Sequence, residues 1–194
     1  MEMKNVIIPG TGGSLASYVI DELRKQEDIH LTLFLRNKNR LQDVTTAGCT
    51  IIEDDVLDYS KLKDAITGQD IVYVNLVGNL EEMAKNIVKA MKETGVKRLI
   101  AISSIGIYDS PLRSVLIPYR KLADIIEASV LDYTILRPTW FTNADEVDYE
   151  ITKKGEQERG SVISQKSLAT FSTKIIESPE KYILENIGIN KPGS

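Results

Sequence analysis

With 194 residues, 42% of them hydrophobic and 27% charged, the chain has an ordinary globular balance and room for one α/β domain, expected to span residues 1–194. Its 24 basic and 28 acidic residues leave a net charge of −4, so there is no broad basic footprint for nucleic acid. One cysteine, Cys49, and one histidine, His30, exclude an internal disulfide, a Cys- or His-rich metal site and a well-placed Ser-His-Asp triad, and no metal is expected.

The chain opens with Met1-Glu2-Met3-Lys4 and passes directly into an apolar run, so no signal peptide is expected. No apolar run approaches the ~20 residues of a membrane span. A cytoplasmic protein with neither membrane nor nucleic-acid partners is the expectation, and oligomeric state is not legible. Residues 6–8 form the first predicted strand, and Leu15, Ala16, Val19, Ile20 and Leu23 write one face of a helix over about 13–26. Residues 30–35 read as a second strand, with His30 at its edge or on the surface. A weak helical piece over 39–46 leads to a third strand at 50–52. Ser60 offers a side-chain acceptor to cap a short helix ending near Gly68.

Residues 70–75 make the fourth strand, and Met83, Ala84, Ile87, Val88 and Met91 line a helix that Gly95 ends. The fifth strand covers 98–103, Leu122, Ile125 and Ile126 mark the next helix, and the sixth strand, 133–136, is stopped by Pro138. Such nearly continuous apolar strands suit a parallel sheet covered on both faces. Alternation with helices predicts a doubly wound α/β fold, strand order 3-2-1-4-5-6, the Rossmann arrangement. The polar stretch 145–160 reads as an exposed excursion. Leu168, Phe171, Ile175 and Ile176 give an amphipathic helix packing back on the domain, a small C-terminal helical extension.

The segment Gly10-Thr11-Gly12-Gly13-Ser14-Leu15-Ala16, after the first strand and opening a helix, is the expected cradle for a pyrophosphate. Glycine turns also end strands for purely steric reasons. At the end of the second strand stands Leu35-Arg36-Asn37-Lys38-Asn39-Arg40, with no carboxylate to hold the ribose hydroxyl of NAD. Arg36 presents a planar fork to a 2′-phosphate and Arg40 lies where it adds a second contact, which favours NADP(H) over a merely solvated basic loop. Asp55, with Val56 beside it, meets the adenine edge, or the acids of 53–58 simply favour a helix N-terminus. Gly78 lets the cofactor ribose approach the backbone, or marks only a helix entry.

Taken together, Gly10-x-x-Gly13-x-x-Ala16, Asp55-Val56-Leu57-Asp58, Val96-Lys97-Arg98-Leu99-Ile100, Ser103-Ser104-Ile105-Gly106-Ile107-Tyr108 and Leu131-Asp132-Tyr133-Thr134-Ile135-Leu136-Arg137-Pro138 resemble the atypical short-chain dehydrogenases/reductases of the NmrA-like NAD(P)H-binding family. That group includes small flavin reductases of the biliverdin-reductase-B kind. The likeness covers nearly the whole chain. It implies nicotinamide at the C-terminal edge of the sheet, Ser103 and Ser104 at the serine position beside it, and Arg137-Pro138 at the post-strand turn. The departures are equally specific. Tyr119 is followed four residues later by Ala123 and Tyr108 by Leu112, so neither makes the Tyr-x-x-x-Lys proton donor. Ala16 replaces a third glycine, Pro9 precedes the first, and the loop 109–118 is short, which suggests an open pocket with Val115, Leu116 and Ile117 either lining it or forming a contact surface.

Without that donor, the reaction expected is hydride transfer from NADPH to a flavin, quinone or similar planar small-molecule acceptor, which takes its proton from solvent. Ser104 would polarise the acceptor or fix the nicotinamide carboxamide, and Tyr108 would stack on the acceptor or close the pocket. The alternative is a non-catalytic NADP-binding sensor or regulatory interaction protein of NmrA-like type.

Overall fold

The computed structural model describes residues 3–41 and 44–194. Its centre is an eight-stranded sheet in the order β3-β2-β1-β4-β5-β6-β10-β8. The six strands expected from the sequence are β1 (Lys4–Pro9), β2 (Ile29–Leu35), β3 (Thr50–Glu53), β4 (Ile71–Val74), β5 (Arg98–Ile102) and β6 (Asp132–Pro138), all parallel and in the order 3-2-1-4-5-6. Successive side chains of a strand point to opposite faces, so each strand feeds two cores. Val6, Ile8, Leu33, Tyr73 and Ile100 meet α1 (Ser14–Leu23) and α5 (Gln165–Glu177). Ile7, Phe34, Val72, Leu99 and Ile135 meet α2 (Tyr59–Ile66), α3 (Leu80–Thr94) and α4 (Ile117–Glu127). This two-sided burial is why the strands read as unbroken apolar runs rather than alternating ones.

Several local expectations are corrected. Asp58, not Ser60, caps α2: it sits in extended backbone and its carboxylate accepts the Lys61 N–H at 3.2 Å, so the helix has already begun when Ser60 is reached. The weak helical piece is a 3-10 turn, Lys38–Leu41, and Gln42 and Asp43 of it lie outside the described residues. Strand β6 runs through Pro138, which takes the last position of the strand, where its missing N–H disturbs little. Gly95 does end α3, in the left-handed region at φ 79°.

The C-terminal part differs most. The stretch expected to be an exposed excursion contains β8 (Glu150–Lys153), antiparallel to β10 (Glu185–Asn190), which itself adds parallel to β6. The extension is therefore helix plus sheet. Gly188 of β10 has no side chain because Thr152 and the Arg137 guanidinium fill the space a Cβ would need. A second, two-stranded parallel ribbon joins β7 (Trp140–Thr142) to β9 (Val162–Ser164). Among the described residues no helix is long and apolar enough to cross a membrane.

Candidate cofactor and acceptor site

The C-terminal ends of β1, β4, β5 and β6 meet at one edge of the sheet, and the strand order reverses between β1 and β4, the position where open α/β sheets bind ligands. Strand β1 turns at Gly10, φ +93°, whose N–H donates to the Phe34 carbonyl at 3.0 Å. A Cβ there would collide with the carbonyl oxygen of Asn75 at the end of β4. The turn thus needs glycine on both counts of angle and space. Gly13 precedes α1 in extended conformation without a side-chain cap, and no acidic residue stands in the first turn, so the opening N–H groups of α1 are free for an anion.

Thr11 is 1% exposed and its hydroxyl has no partner among the described residues. Buried hydroxyls are almost always hydrogen-bonded, so this one suits a ligand oxygen. The Ser14 hydroxyl donates to Gln165 Oε1 at 2.7 Å, and Gln165 Nε2 donates to Asn143 Oδ1 at 2.8 Å, tying the glycine turn to the strand after β6. The Leu15 side chain lies in the core, so only its backbone faces the turn.

The loop after β2 folds back over this turn. Asn37 organises it: its side chain accepts from Asn39 N–H at 3.0 Å and its carbonyl from Arg40 N–H at 3.1 Å. As a result a Cβ on Gly12 would lie 2.9 Å from Arg40 Cδ. Lys38 is paired with Glu53, whose carboxylate accepts its backbone N–H at 3.0 Å and meets its ammonium at 3.4 Å. That backbone hydrogen bond, above all, holds the Glu53 carboxyl below the usual range. Arg36 and Arg40 are exposed and form no ion pair among the described residues.

Asp55 Oδ1 accepts the Leu57 N–H at 2.9 Å, Val56 is packed in the core with its carbonyl accepting from Asn86 Nδ2 at 3.1 Å, and Gly78, φ +102°, opens onto empty space ahead of α3. These residues share the sheet edge with the turn. His30 lies away from it on β2, beside Thr50 Oγ1 at 2.9 Å.

After β5 the two serines part company. The Ser103 hydroxyl is buried and donates to the Tyr119 carbonyl at 3.1 Å, fastening the start of α4. Ser104 is half-buried, with its hydroxyl turned to the Ile105 carbonyl at 3.1 Å. The Tyr108 hydroxyl donates to Glu127 Oε1 at 3.1 Å and accepts from Asn186 Nδ2 at 2.7 Å, so it is tied to the end of α4 and to β10. Burial, then the Glu127 charge, pushes its phenol pKa up. The cations of Lys154, Arg120 and Arg137 stand 4.8, 4.9 and 5.3 Å from its ring centroid. Arg137, 1% exposed, donates to Asn186 Oδ1 at 2.8 Å and pairs with Glu158, whose other oxygen accepts the Gly106 N–H at 2.8 Å.

Of the apolar loop residues, Leu116 is buried while Val115 and Ile117 are exposed at the start of α4. Two surface grooves, of about 410 and 530 Å³, lie beside Phe171 and beside Tyr18, neither of them lined by the glycine turn or the serines. The open sheet edge, with its uncapped helix and orphaned Thr11 hydroxyl, has the chemistry that those grooves lack. The residues that sequence reasoning missed are Asn143 and Gln165, remote in the chain and placed only by β7 and α5.

A doubly wound sheet with a glycine turn at its switch point defines a dinucleotide-binding Rossmann protein. The chain matches the NAD(P)H-binding family over residues 10–179 and belongs to it. It is similar to a Rossmann-fold NAD(P)-binding family protein from Shigella flexneri, 47% identical, with 100% of this chain and 96% of that one covered and a TM-score of 0.92. A short-chain dehydrogenase/reductase from Veillonella parvula, solved in complex with NADP, is 26% identical over 98% of this chain and 95% of that one, with a TM-score of 0.86. Protein YmjC of Escherichia coli K12 is 39% identical over 61 residues, 27% of this chain and 98% of that protein.

Proposed function

We propose that the protein is an NADP(H)-dependent oxidoreductase that passes a hydride to a flat conjugated acceptor such as a flavin or quinone. The observation that carries the cofactor choice is Arg40 lying on Gly12, with Arg36 exposed on the same loop and the nearby Glu53 already engaged by Lys38. Two guanidinium groups meet a 2′-phosphate well, whereas an NAD site calls for a carboxylate at this place. The NADP complex of the Veillonella relative supports the same choice.

The roles follow from position. The N–H groups of Gly12, Gly13, Ser14 and Leu15 and the Thr11 hydroxyl bind the diphosphate bridge, and Gly10 gives the turn its shape. Asp55 and Val56 border the adenine, and Gly78 leaves room for the ribose. When bound, the nicotinamide supplies a hydride. Ser103 acts through its bond to Tyr119, holding α4 in place, while the Ser104 hydroxyl is free to rotate toward the carboxamide or the acceptor. Tyr108 contributes a fixed ring to the wall of the pocket, since its hydroxyl is already bonded on both sides. Neither Tyr108 nor Tyr119 has a lysine four residues on; Lys121 is paired with Glu81 on α3, and Lys154, beside the Tyr108 ring, is paired with Glu127. An acceptor that spreads its own charge and takes its proton from water fits such a site.

Parallel titrations with NADPH, NADP, NADH and NAD, followed by NADPH oxidation across a panel of flavins and quinones, test this reading. Preference for the phosphorylated pair together with turnover supports it. Tight NADPH binding with no turnover on any acceptor assigns the protein to the sensor class instead.

A further inference from the structure

We infer that Trp140 is the stacking surface for the acceptor ring, with Thr139 as its polar companion; this rests on the nicotinamide reading above and adds the acceptor's place and shape. Trp140 is the only tryptophan of the chain and is 69% exposed, although burying an indole is normally among the larger apolar gains available to a fold. It is not on a loose loop. Its backbone N–H donates to the Ser161 carbonyl at 3.1 Å, β7 pairs with β9, and Asn143 at the far end is joined through Gln165 to Ser14. An aromatic ring held out on a braced strand is pre-organised to bind a flat partner, because little of its freedom remains to be lost.

Its location ties it to the proposed chemistry. The Pro138 carbonyl, two residues before Trp140, accepts the Ile105 N–H at 3.1 Å, so β7 starts beside Ser104. In the parallel ribbon Trp140 sits opposite Val162 and Phe141 opposite Ile163. Ile163 belongs to the core between the sheet and α5, whereas Trp140 and its neighbour Phe141 are both left exposed on the partner strand. Val115 and Ile117 expose further apolar surface at the same sheet edge. Thr139 is 5% exposed, and its hydroxyl has no partner among the described residues. Such a group is costly unless something completes it, and a carbonyl on an acceptor ring would do so. The ligand class is therefore a planar conjugated ring bearing a hydrogen-bonding oxygen or nitrogen.

Because the indole is unique, its own fluorescence reports binding without any turnover. The protein, with and without NADP, is titrated with menadione, with FMN and with an aliphatic diketone that has no ring to stack. Saturable quenching by one of the planar probes, and none by the diketone, is the expected result, and which planar probe acts separates quinone from flavin. Trp140→Ala is then expected to raise KM for that acceptor roughly tenfold, with NADPH affinity unchanged and with Val130→Ser at the opposite edge showing neither effect. NADPH binding without saturable quenching by either ring overturns the platform and leaves the cofactor reading standing. Quenching without NADPH binding does the reverse. A blue shift of the emission that grows with protein concentration alone makes a second copy of the chain the occupant, and also overturns the proposal.

Discussion

Arg40 lies directly over Gly12, so close that a Cβ at Gly12 would stand 2.9 Å from Arg40 Cδ. This contact joins the basic loop after β2 to the glycine turn after β1. Gly12→Ala is expected to fold normally, because an exposed arginine chain can swing aside, but to weaken NADPH by roughly tenfold, about 1.4 kcal/mol. Gly10→Ala is different in kind. The collision there is with backbone, at φ +93°, and a loss of more than about 3 kcal/mol of stability is expected. Thermal unfolding and calorimetric titration of the two variants separate these outcomes.

Arg36→Ala and Arg40→Ala are each expected to cost NADPH roughly ten- to a hundredfold in Kd, the range for a charge-assisted hydrogen bond. NADH affinity should change little, so the preference collapses rather than the fold. Equal losses for NADPH and NADH would show that the loop does not read the 2′-phosphate.

Arg137→Ala removes one partner of a buried ion pair and leaves Glu158 Oε1 and the Asn186 side-chain amide oxygen without their donor. A loss of about 3 kcal/mol in urea unfolding is expected. The double variant Arg137→Met with Glu158→Gln should recover part of it, since no unpaired charge then remains inside. A double variant no better than Arg137→Ala would mean that the pair matters for its shape alone.

Glu127 sets an acid limit. Burial raises its pKa, but hydrogen bonds from Lys154, Asn186 and Tyr108 and the Lys154 charge outweigh this, leaving it below the ordinary 4.5. A depressed carboxyl stabilises the fold fully above the ordinary range and ceases to do so as pH falls through its lowered value. Glu127→Gln should therefore be less stable than the parent at pH 7, with the gap narrowing as pH falls below the ordinary carboxyl value of 4.5. A gap independent of pH in urea unfolding would assign the effect to packing.

The glycine turn, the basic residues Arg36 and Arg40, and the two serines were legible because each sits at the end of a strand whose apolar run is unmistakable. Strands β8 and β10 were not. Strand β8 lies at the far edge of the sheet, where the charges of Glu150 and Lys153 discourage further pairing, and β10, between β6 and β8, begins and ends in the polar residues Glu185 and Asn190. Only Ile187 and Ile189 hinted at alternation. The cap of α2 was misplaced by two residues, because Asp58 and Ser60 are both good caps and the choice is made by where the helix packs.

Buried parallel strands and amphipathic helices leave few ways to cover both faces, so the doubly wound sheet and its order could be read directly from the chain. The sequence by itself also determined that this protein carries a dinucleotide-type turn. Tertiary structure decided which side chains remain available there. Ser103 and Tyr108 lie within four residues of Ser104 in the chain, yet their hydroxyls are taken by Tyr119, Glu127 and Asn186, groups that only folding brings near. Arg40 packs on Gly12, and Gln165 accepts the Ser14 hydroxyl, for the same reason: van der Waals contacts and hydrogen bonds are made through space, and spacing along the chain does not encode them.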